Sequence, residues 1–201
     1  MNKLQRLTEL SQGDYQAFLY DCDGTLTDNM EAHKKSYVTV AAGRGVTIDP
    51  AIVDQYAGLP IPMVVEEINR RYHTSFDPLE FEQQKSLVYY NEYIEHVQPI
   101  QFVVDHLKAH VGKVKIGVVS GGARSVIEKT LQVLGLTAEV EILVCAGETE
   151  RGKPYPDPFL RAAELLDVPP HTCLVFEDGN AGVQAAEAAG MDWIRIDKVE
   201  G

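Results

Sequence analysis

Two kinds of apolar pattern alternate along the chain. Short, mostly apolar runs stand at Tyr15–Cys22, Lys115–Ser120, Val140–Cys145, Cys173–Phe176 and Trp193–Ile196. Such runs, without strict alternation, predict strands covered on both faces, as in a parallel sheet. Elsewhere apolar residues recur every three or four positions, which predicts helices. These cover residues 1–14, where Leu4, Leu7 and Leu10 share a face, then Asp28–Gly43, Pro50–Tyr56, Pro62–Tyr72, Pro78–His96, Phe102–His110 and Ala123–Leu134. Two more follow. Pro158–Leu166 has Asp157 as its expected N-cap and Pro158 at the first helical position, and the Ala-rich Ala181–Ala189 is stopped by Gly190.

From residue 115 onward strand and helix alternate, which predicts an α/β fold with a doubly wound, Rossmann-like parallel sheet and ligands at the carboxyl ends of its strands. The roughly one hundred residues between the first strand and Ser120 far exceed the dozen or so that a parallel crossover needs. Most of that stretch is therefore read as an insertion, an all-helical cap domain over residues 29–96. The core is then residues 1–28 and 97–201.

Composition narrows the partners. The chain has 201 residues, 45% hydrophobic and 24% charged, with a net charge of −12. Duplex nucleic acid is disfavoured, because it is bound through clustered Lys and Arg and no such cluster occurs. No 18-residue apolar stretch exists to span a membrane, and the first residues lack the apolar run of a signal peptide, so a cytoplasmic protein without membrane contact is expected. Cys22, Cys145 and Cys173 are widely spaced, form no Cys-x-x-Cys pair and sit in apolar runs. They read as buried small hydrophobes of a reducing compartment.

The chemistry-bearing residues fall at strand ends. The first strand stops at Asp21-Cys22-Asp23-Gly24-Thr25. In an extended chain alternate side chains share a face, so Asp21 and Asp23 point to one site and Cys22 away from it. Two close carboxylates repel, and a hard divalent cation such as Mg²⁺, held by oxygen ligands and a substrate phosphate, removes the repulsion. Asp-x-Asp-Gly also begins calcium loops, but no Glu stands at the twelfth position here. Ser120-Gly121-Gly122 closes the second strand of the core ahead of a helix, with a hydroxyl and amides able to hold phosphate oxygens. Lys153 precedes Pro154, which biases it toward an extended backbone, and Glu177-Asp178 ends another buried strand.

With these four motifs in order, the sequence resembles the haloacid-dehalogenase-like superfamily, in particular its phosphatase and β-phosphoglucomutase branch with a helical cap. The resemblance implies that Asp21 is a nucleophile giving an aspartyl phosphate, and that Asp23 is general acid and base. It implies Mg²⁺ bound by the Asp21 side chain, the Asp23 carbonyl and Asp178, with Glu177 on a metal-bound water. Lys153, Ser120, Gly121, Gly122 and Thr25 would stabilise the transferring phosphoryl group. An Asp at the second motif position disfavours carbon–halogen and phosphonate chemistry. In the cap, His33 and Lys85 match by position a hinge His and a substrate-contacting Lys of the mutase-like members. Each reads equally as a solvated helix residue.

The reading that results is a Mg²⁺-dependent phosphatase of small phosphorylated metabolites, sugar phosphates first among them. A phosphomutase uses the same core, but the Arg that grips its second phosphate falls within Gly58-Leu59-Pro60-Ile61-Pro62, where this chain is read to place Ile61. A non-catalytic binding protein on this fold would be expected to have lost one of Asp21, Asp23, Ser120, Lys153 or Asp178.

Overall fold

The computed structural model describes residues 1–56 and 59–201. Five parallel strands form the main sheet: β1 (Ala17–Tyr20), β4 (Lys115–Val119), β5 (Ile142–Val144), β6 (Cys173–Glu177) and β7 (Asp192–Arg195), in the order β5-β4-β1-β6-β7. The strand that ends at Asp21 is central, paired with β4 through Tyr20–Val118 and with β6 through Tyr20–Phe176. Two-residue periodicity sorts its side chains between two layers. Phe18, Tyr20 and Cys22 join Leu174 and Phe176 in one apolar cluster, whereas Ala17 and Leu19 join Cys173 and Val175 in the other.

Helices cover both faces. The first cluster takes in Leu7 of α1 (Lys3–Leu10), Val103 and Leu107 of α6 (Gln101–His110) and Ile127 and Leu131 of α7 (Arg124–Leu134). On the second face lie Phe159 and Ala162 of α8 (Asp157–Leu165) and Ala185 and Ala186 of α9 (Asn180–Ala188). Burying each large apolar side chain contributes about 1.5–3 kcal/mol, and coverage on both faces is what allows the strands to read as unbroken apolar runs. All three cysteines are free and buried.

Between β1 and β4 lies an all-helical insertion: α2 (Met30–Gly43), α3 (Ala51–Gln55), α4 (Ile61–Tyr72) and α5 (Pro78–Glu92). These helices have an apolar core of their own, including Tyr37, Ile52, Val65, Ile68 and Phe81. The insertion is joined to the sheet by two two-residue strands, β2 (Thr27–Asp28) and β3 (Gln98–Pro99), paired antiparallel. Two-residue strands carry no periodicity, and neither was expected from the sequence.

Other differences concern element ends. The expected helix Pro78–His96 stops at Glu92 and continues as a separate 3₁₀ turn, Ile94–His96. Asp157 is not an N-cap: it lies inside α8, its side chain makes no capping bond, and its carboxylate instead accepts from Arg151 at 3.0 Å. Among the described residues no helix is long and apolar enough to cross a membrane.

Candidate active site

At the carboxyl end of β1 the ladder continues one residue past the strand, with the Asp21 amide donating to the Phe176 carbonyl at 2.9 Å. That bond fixes Asp21 in the sheet while its side chain leaves the apolar core. Lys153, on the β5–α8 connection, reaches the same place and uses all three ammonium protons: on Asp21 Oδ1 (2.7 Å), Glu177 Oε1 (2.7 Å) and the Val119 carbonyl (2.9 Å). Burial opposes its charge, yet Asp21 and Glu177 outweigh that and hold the ammonium above its ordinary range.

The opposite balance holds for the acids. Burial, and then the neighbouring Glu177 and Asp178, push Asp21 well above the usual carboxylate range against the pull of Lys153. Burial and Glu177 likewise raise Asp178 to about 6. One carboxylate oxygen from each of Asp21, Glu177 and Asp178 lies within 4.8 Å of the others. Three acidic groups and one ammonium leave the cluster with an excess of buried negative charge, and its donors are all oxygens. This donor set fits a hard divalent cation. Of the three, Glu177 is the most committed within the protein, since its Oε2 also accepts from the Gly179 amide at 2.8 Å.

Two glycines make room for these acids. Gly24 has φ +90°, a conformation disfavoured for other residues, and a Cβ there would run into the Asp178 carboxylate. Gly182, inside α9, stands where a Cβ would overlap the Glu177 carboxylate. A mid-helix glycine costs about 1 kcal/mol relative to alanine, so its place in an Ala-rich helix follows from Glu177 rather than from helix formation.

Ser120 extends β4, its amide donating to the Val144 carbonyl at 2.9 Å, and its Oγ accepts from the Gly122 amide at 3.1 Å. Ser120, Gly121 and Gly122 all line the cavity above Asp21. Thr25 lies differently from its expected role. It is fully buried and its hydroxyl donates to Asp178 Oδ1 at 3.0 Å, steadying a carboxylate instead of facing the cavity.

Asp23 faces the cavity from the other side. Burial pushes its carboxyl up, but His33, the Asn29 amide and Lys85 outweigh this and bring it down to about 2. His33 Nδ1 lies 2.6 Å from Lys85 Nζ and Nε2 3.4 Å from Asp23 Oδ1. The ammonium donates to Nδ1, which leaves the ring hydrogen on Nε2, toward Asp23. Burial and Lys85 lower the pKa of His33, and burial brings Lys85 down to about 8. Neither residue is solvated: both line the cavity, and Lys85 is only 4% exposed.

The cavity has a volume of about 100 Å³ and is open on one side. Its roof is largely apolar, with Met30, Val53, Ile61 and Val64, relieved by Tyr37, Tyr56 and Lys85. Ile61 does line it, and among the described residues no arginine does. Gly58, in the segment where the mutase-type clamp was sought, lies outside the described residues. Sequence reasoning missed Asn29, Gly179 and Gly182, and met Tyr89 only as a residue following Lys85 in the cap. Only Asn29, at the start of a predicted helix, and Gly182, inside one, left a trace in the pattern.

The family described as haloacid dehalogenase-like hydrolase matches residues 15–190. The fructose-1-phosphate phosphatase YqaB of Escherichia coli K12 is 30% identical over 182 residues, 90% of this chain and 96% of the relative. A phosphorylated carbohydrates phosphatase of Thermotoga maritima is 26% identical, covering 89% of this chain and 83% of its own. Among solved structures, CbbY of Rhodobacter sphaeroides in complex with phosphate superposes with a TM-score of 0.81 at 19% identity, over 90% of this chain and 85% of that one, a likeness of fold.

Proposed function

Because the chain belongs to the haloacid dehalogenase-like hydrolases and is a phosphoric monoester hydrolase, we propose that it releases phosphate from small phosphorylated metabolites, sugar phosphates first, through a phospho-Asp21 intermediate. The core in this reading is residues 1–28 and 97–201, and residues 29–96 are a cap over the reacting phosphate. The observation that carries it is the meeting of Asp21, Lys153, Glu177 and Asp178 at one end of a cavity that Asp23 also faces. The names of the relatives supply the sugar-phosphate part.

In the first step an Asp21 oxygen bonds to phosphorus, the bond to the ester oxygen breaks, and the departing alcohol takes the proton that Asp23 carries once the negative charge of the entering phosphate offsets the donors that otherwise keep it a carboxylate. Water then attacks the phospho-aspartate. Asp23 takes the proton from that water, and phosphate leaves with Asp21 restored. A carboxylate attacking a dianion needs positive charge close by, which Lys153 provides from 2.7 Å, while Ser120 and the Gly121–Gly122 backbone offer donors to the phosphoryl oxygens. A positioned acid and base contributes about 10²–10⁴ in rate. Mg²⁺ would be held by the Asp21 side chain, Asp178 and the Asp23 carbonyl, with Glu177 behind a bound water, and when bound supplies charge neutralisation for the phosphoryl oxygens.

The apolar Ile61 in the roof favours the phosphatase over a mutase, since a second phosphate meets no guanidinium there among the described residues. The test is phosphate release across a panel of monoesters, with and without Mg²⁺, for the wild type and Asp21→Asn. The wild type should turn over sugar monophosphates only with the metal, and the variant not at all. Turnover by Asp21→Asn removes the covalent route. Hexose 6-phosphate accumulating from hexose 1-phosphate faster than inorganic phosphate makes the enzyme a mutase.

A further inference from the structure

Asn29 occupies the N-cap of α2, where an Asn side chain ordinarily accepts from an amide of the first turn and contributes about 1 kcal/mol. Here it makes no such bond. Its amide is turned the other way, with Nδ2 donating to Asp23 Oδ1 at 2.5 Å and to the Tyr89 hydroxyl at 2.8 Å, while His33 Nε2 lies 3.1 Å from the same nitrogen. The oxygen that could have capped the helix, Asn29 Oδ1, is buried without a hydrogen-bond partner among the described residues, and the residue is 2% exposed. Turning the amide over would set that oxygen against a carboxylate oxygen, two acceptors face to face. Helix stability is forgone at Asn29, and an acceptor left unsatisfied, so that a donor stays on Asp23.

The consequence for Asp23 is geometric. Among the described residues its two hydrogen-bond or ion-pair partners, Asn29 Nδ2 and His33 Nε2, lie against the same oxygen, Oδ1. Oδ2 is thereby left for whatever enters the cavity that Asp23 lines. Tyr89 stands behind Asn29, fully buried on α5 and stacked on the His33 ring with centroids 4.2 Å apart.

We infer that Asn29 is a positioning residue for the proton-transferring carboxylate, and that the Tyr89 hydroxyl holds the Asn29 amide in the orientation that frees Asp23 Oδ2 for the leaving alcohol. The inference rests on the proposed acid–base role of Asp23.

The test compares kcat/KM, which covers only the steps through release of the alcohol, on a sugar monophosphate and on p-nitrophenyl phosphate, whose phenolic group departs without needing a proton. Asn29→Ala should lower kcat/KM on the sugar ester by about 10- to 100-fold and on the aryl ester by less than about threefold, whereas hydrolysis of the phospho-aspartate, common to both, enters kcat alone. Tyr89→Phe, which removes a single oxygen, should act in the same direction by about 3- to 10-fold. Asp23→Asn is the reference and should spare the aryl ester most. If Asp23→Asn discriminates between the esters while Asn29→Ala and Tyr89→Phe slow both equally, the inference is overturned and the role of Asp23 stands. If Asp23→Asn itself slows both equally, that role fails and the inference with it. Should Asn29→Ala not fold by circular dichroism, Tyr89→Phe decides by the same ratio.

Discussion

Lys153 at the sheet end and Lys85 in the helices above it are equally buried, each 4% exposed, and their surroundings are opposite. Lys153 touches two carboxylates and a carbonyl and is held charged. Lys85 touches the His33 ring and lies over the faces of Tyr37 and Tyr89 at 5.5 and 5.2 Å, and its charge is weakened. The sheet end is thus built with counter-charges in place. The helical side carries a cation that Asp23 and Glu82 favour without outweighing its burial.

The largest expected effect comes from breaking the first arrangement. Lys153→Met leaves Asp21 and Glu177 buried together without a cation and should cost about 3–5 kcal/mol in urea unfolding, with phosphate release falling at least about 10²-fold. Stability unchanged in Lys153→Met would mean that the two lysines do not differ as described.

Lys85→Met should move stability the other way. Lys85 has a folded pKa of about 8, lowered from 10.5, so its stabilising contribution is present only above about 10.5 and is lost as pH falls to 8. At neutral pH the ammonium is therefore a burden, and the apolar replacement should add about 2 kcal/mol while lowering kcat/KM on sugar phosphates. Lower stability in Lys85→Met would show that His33 and the tyrosines compensate the charge fully.

A third buried base, far from the cavity, gives an effect no larger than that of Lys85. His106 is fully buried; Tyr20 donates to its Nδ1 at 2.9 Å, and its Nε2 donates to Ser11 Oγ just beyond α1 at 2.8 Å. Burial, then the nearby His110, lower its pKa from 6.5 to about 3. Its contribution is complete above pH 6.5 and is lost as pH falls toward 3, so the unfolding free energy should drop by about 2 kcal/mol between pH 7.5 and pH 5. His106→Gln should flatten that slope in urea titrations.

What could be read from the residues alone follows a physical line. Strands β1, β4 and β6 were legible because burial on both faces forces an unbroken apolar run, and Asp21, Ser120, Lys153 and Asp178 were legible because each follows or lies between such runs. The ladder of β2 and β3 was not, since two residues carry no period. Asp157 looked like a cap because Asp before Pro usually is one, but Arg151 offers it a charged partner. Asn29 and Gly182 look like an ordinary helix start and a weak helix position, and only the carboxylates beside them in space reveal their purpose.

The ladder of β2 and β3 also limits how the molecule can move. Covalently, the chain crosses between the sheet and helices α2–α5 only twice, and Thr27–Pro99 and Asp28–Gln98 pair the two crossings side by side. The Ile100 amide adds a bond to the Leu26 carbonyl at 2.9 Å, and the Thr27 hydroxyl one to the Gln98 carbonyl at 3.2 Å. Shearing or twisting the helices against the sheet would rupture these bonds, whereas swinging them about the line of the ladder need not. A door hinge is the mechanical counterpart of such a connection, and His33, Lys85 and Tyr89 all stand on one leaf of it.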